Sequence, residues 1–152
     1  MKLKSSLNLV AENQHKHMTT KPIYCCGCGC DVKARLTNGK EIYPHRNDLA
    51  SLPFWICDTC HNHVGCHHKT NKPTTPLGII PTPEIKNARR HIHALMDPLW
   101  KSGKIKRVKL YARLSKWLGS TYHTGEIRSV EEAREVYRQL LKIRCELKNL
   151  AK

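Results

Sequence analysis

The chain has 152 residues, and its 27 Lys and Arg outnumber 12 Asp and Glu, for a formal net charge of +15. One domain, or one small domain with an appendage, fits that length; no run approaches the roughly 18 apolar residues of a membrane span, and the N-terminus lacks the apolar stretch of a secretory signal. So positive a charge disfavours an ordinary metabolic enzyme and favours a polyanionic partner, nucleic acid well ahead of an anionic membrane surface.

Residues 1–22 read as a basic, polar tail without sustained periodicity, in which Leu3, Leu7 and Leu9 could form a short ordered piece. Residues 23–72 are rich in Cys and His. Within them Val32, Ala34 and Leu36 alternate with Lys33 and Arg35, the period-two pattern of a strand. Asn38-Gly39 follows, a favoured two-residue hairpin turn, so Glu41, Ile42 and Tyr43 are expected to return as the second strand. Phe54-Trp55-Ile56 suits a further short strand leading into Cys57. Residues 73–82, with Pro73, Pro76, Gly78 and Pro81, read as a linker.

Residues 83–152 read as helical. Thr82 is placed to N-cap a helix, Pro83 fits its first position, and Glu84 suits the positive end of the dipole. Ile85, Ala88, Ile92, Leu95, Met96 and Leu99 keep helical spacing; Pro98 is expected to end or kink the helix, with Asp97 capping a short continuation. A second helix is expected over 105–118, with Val108, Tyr111, Leu114, Trp117 and Leu118 on its buried side and Gly119 closing it. A third should start after Ser129, where Glu132 completes a capping box, and bury Ala133, Val136, Tyr137, Leu140, Ile143, Leu147 and Leu150. Cys145 falls off that face and reads as an incidental, partly buried thiol.

Seven of the 8 Cys lie between Cys25 and Cys66. A secreted disulfide scaffold spreads its cysteines over the fold; clustered cysteines without a signal peptide point to metal or redox chemistry in a reducing cytosol. Cys25 and Cys28 form one C-x2-C pair and Cys57 and Cys60 another, with 28 residues between them, room for a hairpin and a third strand. Each turn puts two thiolates on one side of a zinc ion, and two turns complete a tetrahedron. Cys25, Cys28, Cys57 and Cys60 therefore read as the ligands of one structural Zn2+ in a zinc ribbon, a staple that a small domain with little apolar bulk needs. The neighbouring residues leave alternatives open. Cys26 or Cys30 could replace a member of the first pair, and Cys66 or His67 could supply a missing ligand or help hold a second ion. Otherwise Cys66 is a core residue, and His61, His63, His67 and His68 lie on the surface. The contiguous string His61-Asn62-His63 does not make a His-Asn-His nuclease, whose residues are spread over a hairpin and a helix.

These motifs resemble the zinc-finger-containing domain family of phages and prophages. The likeness begins at Cys25-Cys26-Gly27-Cys28-Gly29 and continues through Trp55-Ile56-Cys57-Asp58-Thr59-Cys60 and Val64-Gly65-Cys66-His67. It then takes in Pro76-Leu77-Gly78, a helix with Arg89, Arg90, His93, Asp97, Pro98, Leu99 and Trp100, and finally Tyr111, Trp117, Leu118, Gly119, His123 and Gly125. It spans 24–127. The resemblance implies zinc binding in a small accessory protein of phage or prophage origin, and implies no activity. The extra cysteines Cys26 and Cys30 and the long basic C-terminal helix depart from it.

Lys104, Lys106, Arg107, Lys109, Arg113 and Lys116 fall within 104–116, a stretch without a single acid. They are the expected nucleic-acid-binding surface, with Tyr111 and Trp117 interleaved but expected in the core. Arg89, His93 and Asp97 share a helix face at i, i+4 spacing. They read as a structural network rather than a catalytic one, since a two-metal nuclease would want more carboxylates.

The expected architecture is α+β: a zinc ribbon of three or four short antiparallel strands (residues 23–72), followed by about three α-helices packed on it. The expected function is that of a zinc-binding, nucleic-acid-binding accessory or regulatory protein of the cytoplasm, a bacterial host's if phage encoded, and a binding protein more than an enzyme. DNA and RNA are not distinguished. The alternatives are an interaction protein that docks on host transcription or translation machinery, and a metal-dependent nuclease using His67, His93 and Asp97.

Overall fold

The computed structural model describes residues 18–152; the expected tail before Met18, with Leu3, Leu7 and Leu9, lies outside the described residues. Four strands form one antiparallel meander: β1 (Thr20–Cys25), β2 (Cys30–Asn38), β3 (Pro53–Ile56) and β4 (His63–Gly65), in that spatial order. Strand β1 begins at Thr20, inside the stretch read as tail, because Thr20, Lys21 and Pro22 pair with Arg35, Ala34 and Lys33. Cys25 pairs with Cys30 and Ile56 with His63, so the two C-x2-C segments are themselves the β1–β2 and β3–β4 turns. The ribbon is followed by helices, which makes the chain the α+β protein its sequence describes.

Asn38-Gly39 makes no hairpin. Asn38 is extended and accepts the Lys40 N–H at 3.1 Å, N-capping a single helical turn, α1 (Gly39–Ile42). Glu41, Ile42 and Tyr43 therefore belong to a helical turn and its cap. The physical reason lies in β2, which already has β1 along one edge and β3 along the other. Strand β3 pairs with Arg35 to Asn38 at that end of β2 and takes a place that a strand returning from Asn38 would need.

Residues 73–82 are no linker either. Ile79, Ile80 and Pro81 are buried. Ile80 donates its N–H to the Tyr24 carbonyl, and Cys26 donates to the Ile80 carbonyl, both at 2.9 Å. The prolines exclude helix from this stretch, but its two isoleucines carry it inside, against the end of β1.

Three long helices complete the chain: α2 (Pro83–Lys101), α3 (Arg107–Leu118) and α4 (Val130–Leu150). Thr82 caps α2 by accepting the Ile85 N–H, and Ser129 caps α4 by accepting the Glu132 N–H. Pro98 neither ends α2 nor divides it. The carbonyl that Pro98 leaves without a donor belongs to Ala94, and both residues are exposed, so water can satisfy it. On α3 the buried side is Leu110 and Leu114, with Tyr111 partly covered. Val108, Trp117 and Leu118, expected inside, are 81%, 40% and 39% exposed. Apolar residues surround most of this helix, so periodicity alone did not select the stripe that Leu110 and Leu114 present to α2. Along α4, Ala133, Val136, Leu140 and Ile143 are buried, whereas Tyr137, Leu150 and Cys145 are exposed.

The buried residues form two clusters. One joins Ile23, Ala34, Trp55, Val64 and Ile80 with Cys25, Cys57 and Cys66 in the ribbon; the other fills the space between the helices, around Met96, Leu110, Leu114 and Leu140. Their seam is a backbone contact between Gly78 and Gly125, where Ile79 donates its N–H to the Gly125 carbonyl at 3.0 Å. A Cβ on Gly78 would stand 2.2 Å from that carbonyl oxygen, and one on Gly125 would stand 2.4 Å from the Leu77 oxygen. Gly78→Ala and Gly125→Ala should each destabilise the zinc-loaded protein by about 1–3 kcal/mol or more, as overpacking does. Urea denaturation checks this; unchanged midpoints would show that the seam yields.

Candidate metal centre and the adjoining cleft

The four Sγ atoms of Cys25, Cys28, Cys57 and Cys60 all lie within 4.8 Å of one another. Cys25 Sγ is 3.4 Å from Cys60 Sγ, and Cys28 Sγ is 3.7 Å from Cys57 Sγ. Four sulfurs at a Zn–S distance of about 2.3 Å would have edges of roughly 3.8 Å, whereas a disulfide would need about 2.05 Å. The donor set and its spacing thus fit one tetrahedral zinc ion. The two turns are built alike. Gly29 donates its N–H to the Cys25 carbonyl at 2.8 Å, and His61 donates to the Cys57 carbonyl at 2.7 Å. Both donors are left-handed, Gly29 with φ of 70° and His61 with φ of 62°. For His61 that conformation costs about 1–2 kcal/mol, which the geometry of the turn imposes.

A family model for a zinc-finger-containing domain matches residues 21–146. The chain belongs to that family. Comparisons with curated proteins and with solved structures give no match. The family's zinc and this chain's four-cysteine cluster agree.

Electrostatics at this zinc-finger cluster explain why it wants a cation. Burial pushes the Cys25 thiol up to about 11. The Cys57 thiol, first among several neighbours, pushes Cys28 up to about 12. At Cys57 burial also pushes upward, but the N–H groups of Cys60 and Thr59 and the adjoining thiols outweigh it and bring the group down to about 7. A metal-free cluster therefore keeps Cys25 and Cys28 protonated at neutral pH, and a divalent cation displaces those protons.

The other ligand-type residues of the family domain stand apart. Cys66 is 4% exposed in the ribbon core, and Cys30 is exposed. Cys26 uses its N–H on Ile80, and His67 and His68 are exposed. His63 is half-buried, edge-on to Tyr43 and Phe54, with Nε2 3.0 Å from the Tyr43 hydroxyl. Among the described residues, Cys25, Cys28, Cys57 and Cys60 are the only group of three or more ligand-type residues at metal-holding distance, so His67, His93 and Asp97 do not form one. Arg35 supports the second turn. Its guanidinium reaches Asp58 at 2.8 Å and Glu41 at 2.7 Å, tying α1 and the Cys57–Cys60 turn to β2. That contact, with Thr37, holds the Glu41 carboxyl down at about 2. The sequence reading missed Arg35; its only signal is a charge in the middle of an alternating strand.

All six residues of the expected cationic surface are exposed: Lys104, Lys106, Arg107, Lys109, Arg113 and Lys116. Lys104 and Lys106 precede α3; Lys109, Arg113 and Lys116 lie on its outer side. Arg113 is paired with Glu146 of α4, and Arg107 stacks over Tyr111, its Cζ 4.7 Å from the ring centre. The Arg89, His93 and Asp97 face is partly structural, as expected. Arg89 donates to the Ile79 carbonyl at 3.3 Å and the Ile127 carbonyl at 2.7 Å. His93 Nδ1 is 3.4 Å from Asp97 Oδ1, and since α2 runs on through Pro98 to Lys101, Asp97 caps no separate helix. Between β4, α2, α3 and the 3-10 turn Thr124–Glu126 runs a cleft of about 460 Å3 that gathers His67, Arg89, His93, Tyr111 and His123 from distant parts of the chain.

Cys57→Ser should release zinc and unfold at least the ribbon; retention of one zinc per chain, measured by metal analysis, would refute the ligand set. Zinc uptake should also be strongly pH-dependent. Cys25 and Cys28 must each lose a proton, so apparent affinity should rise by at least about 100-fold per pH unit near neutrality and fall by the same factor on acidification. Competition with a chromophoric chelator at several pH values measures that slope.

Proposed function

We propose that this zinc-finger-containing protein is a nucleic-acid-binding accessory or regulatory factor, phage or prophage encoded and acting in the bacterial host cytoplasm. In this reading Cys25, Cys28, Cys57 and Cys60 hold one structural zinc, in a compartment where thiols stay reduced. The observation that carries the nucleic-acid assignment is the exposed, acid-free run at α3. Lys104, Lys106, Arg107, Lys109 and Lys116 have no carboxylate within salt-bridge distance among the described residues, and only Arg113 is paired. Cations held this way release counterions when they meet phosphates. No helix among the described residues is long and apolar enough to cross a membrane.

One observation favours a second reading, docking on a host protein of the transcription or translation machinery. Val108, Trp117 and Leu118 expose apolar surface on the same helix as the cations, and exposed aromatic and aliphatic groups beside charge suit a protein interface. A complex captured from lysate that survives nuclease treatment would favour this reading over direct nucleic-acid binding.

Fluorescence anisotropy with single- and double-stranded DNA and RNA tests the first reading. With about five phosphate contacts, log affinity should fall against log salt with a slope near −4. The double variant Lys109→Gln with Lys116→Gln should reduce that slope by about 2, whereas Arg113→Gln should matter less because Glu146 already engages Arg113. Absence of binding to every nucleic acid at low salt would overturn the reading.

A further inference from the structure

We propose that the cleft between the ribbon and the helices is a phosphate-binding site, which takes one phosphate group of the nucleic-acid strand lying along α3. This rests on the nucleic-acid reading above and adds to it a specific site outside the outer face of α3. The cleft is concave and of a size, about 460 Å3, that admits a phosphate with part of its sugar. Its walls supply three cations, Lys86, Arg89 and Arg107, and no Asp or Glu. Four histidines complete it: His63 of β4, His67 just beyond β4, His93 of α2, and His123 before the 3-10 turn.

The condition of these groups is what points to an anion. Among the described residues none of Lys86, Arg89 and Arg107 makes a salt bridge. Arg89 is half-buried, spends its outer nitrogens on two carbonyls, and leaves Nε buried without a partner. Burial pulls its guanidinium below its ordinary value, and Glu126 and Glu132 act on it only through space. Lys86 Nζ lies 2.6 Å from the Tyr43 hydroxyl and 3.4 Å from His63 Nε2, a cation held against a ring nitrogen. Burial, reinforced by that ammonium, holds His63 below its ordinary value. Asp97 lies beside His93 Nδ1 on the helix and lines no wall of the cleft. Three cations that line one cleft, none of them in a salt bridge, are electrostatically unfinished, and a phosphate oxygen supplies what they lack.

The strand is placed by Arg107. This residue lines the cleft and also begins α3, whose outer side carries Lys109 and Lys116. A backbone that sets one phosphate in the cleft meets the exposed run next, so the two cationic surfaces act on one ligand.

The test uses the zinc-loaded full chain and two probes. Inorganic phosphate is titrated while the histidine side-chain resonances are followed by NMR; a 5′-phosphorylated oligonucleotide and its 5′-hydroxyl form are titrated by anisotropy. The site predicts saturable shifts of His63, His93 and His123 with inorganic phosphate, lost in the double variant Lys86→Gln with Arg107→Gln. That variant should also bind the oligonucleotides at least about 10-fold more weakly. A larger loss for the 5′-phosphorylated form means a strand end occupies the cleft, and an equal loss means an internal phosphodiester; both support the site. Lys116→Gln, outside the cleft, should weaken the oligonucleotides and leave the inorganic phosphate shifts intact. Oligonucleotide binding with unmoved histidines, or a Lys86/Arg107 variant that keeps both responses, would overturn the cleft site while the nucleic-acid reading stood. Saturable phosphate shifts without any oligonucleotide binding would keep the site and sink the nucleic-acid reading.

Discussion

Four thiolates sharing one divalent ion are the constraint on which the ribbon depends. The buried cluster there contains only a few bulky apolar groups, chiefly Ile23, Trp55, Val64 and Ile80, and three of its members are cysteines. A core that small does not balance the chain entropy of ordering a four-stranded meander. Zinc binding in comparable small domains contributes about 10–16 kcal/mol, as much as the whole stability of an ordinary domain, about 5–15 kcal/mol. The metal therefore decides whether the ribbon exists. The helical part has a core of its own, with Met96, Leu110, Leu114 and Leu140 almost fully covered.

The metal constraint reaches the helices through the backbone. Cys26, inside the first turn, donates to Ile80, and Ile80 donates to Tyr24. The residue before Ile80 then meets Gly125 and the Arg89 guanidinium, which also holds Ile127. One short extended segment is thus fixed on one side by the turn that carries Cys25 and Cys28, and on the other by α2 and the connection from α3 to α4. Glycine at both 78 and 125 lets the two backbones approach closely enough for this. The cleft walls come from these same parts, so the ribbon and the helices must be docked before its histidines and cations converge.

What the sequence made legible follows from the range over which each signal acts. The two C-x2-C pairs state their own chemistry within four residues, and the structure gathers those thiols. Thr82, Ser129 and Gly119 mark helix ends by local capping, and all three stand at helix boundaries. The signals that misled were local preferences overruled from a distance. Asn38-Gly39 turns into a helix cap where β3 already pairs with the end of β2. Prolines at 73, 76 and 81 suggested a linker, but burial of Ile79 and Ile80 packs it. Pro98 stays within α2 at an exposed position, beside an exposed Ala94 whose carbonyl loses its donor. On α3, periodicity offered more than one apolar stripe, and only tertiary packing distinguished Leu110 and Leu114 from Val108 and Leu118. The cleft was invisible for a related reason: Lys86, His63 and His123 are brought together by docking, and no spacing along the chain encodes it.

The positive charge acquires a definite organisation in this light. Four thiolates and one Zn2+ carry a formal charge of about −2, so the metal centre itself repels a polyanion. In the ribbon, Arg35 is spent on Asp58 and Glu41. The ribbon side contributes His63 and His67 to the cleft instead, while its permanent cations come from α2 and α3. In the proposed reading, a phosphate strand meets the helical side first and touches the ribbon only at the cleft. In that reading zinc acts on the strand only indirectly, by holding β4 where His63 lies beside Lys86.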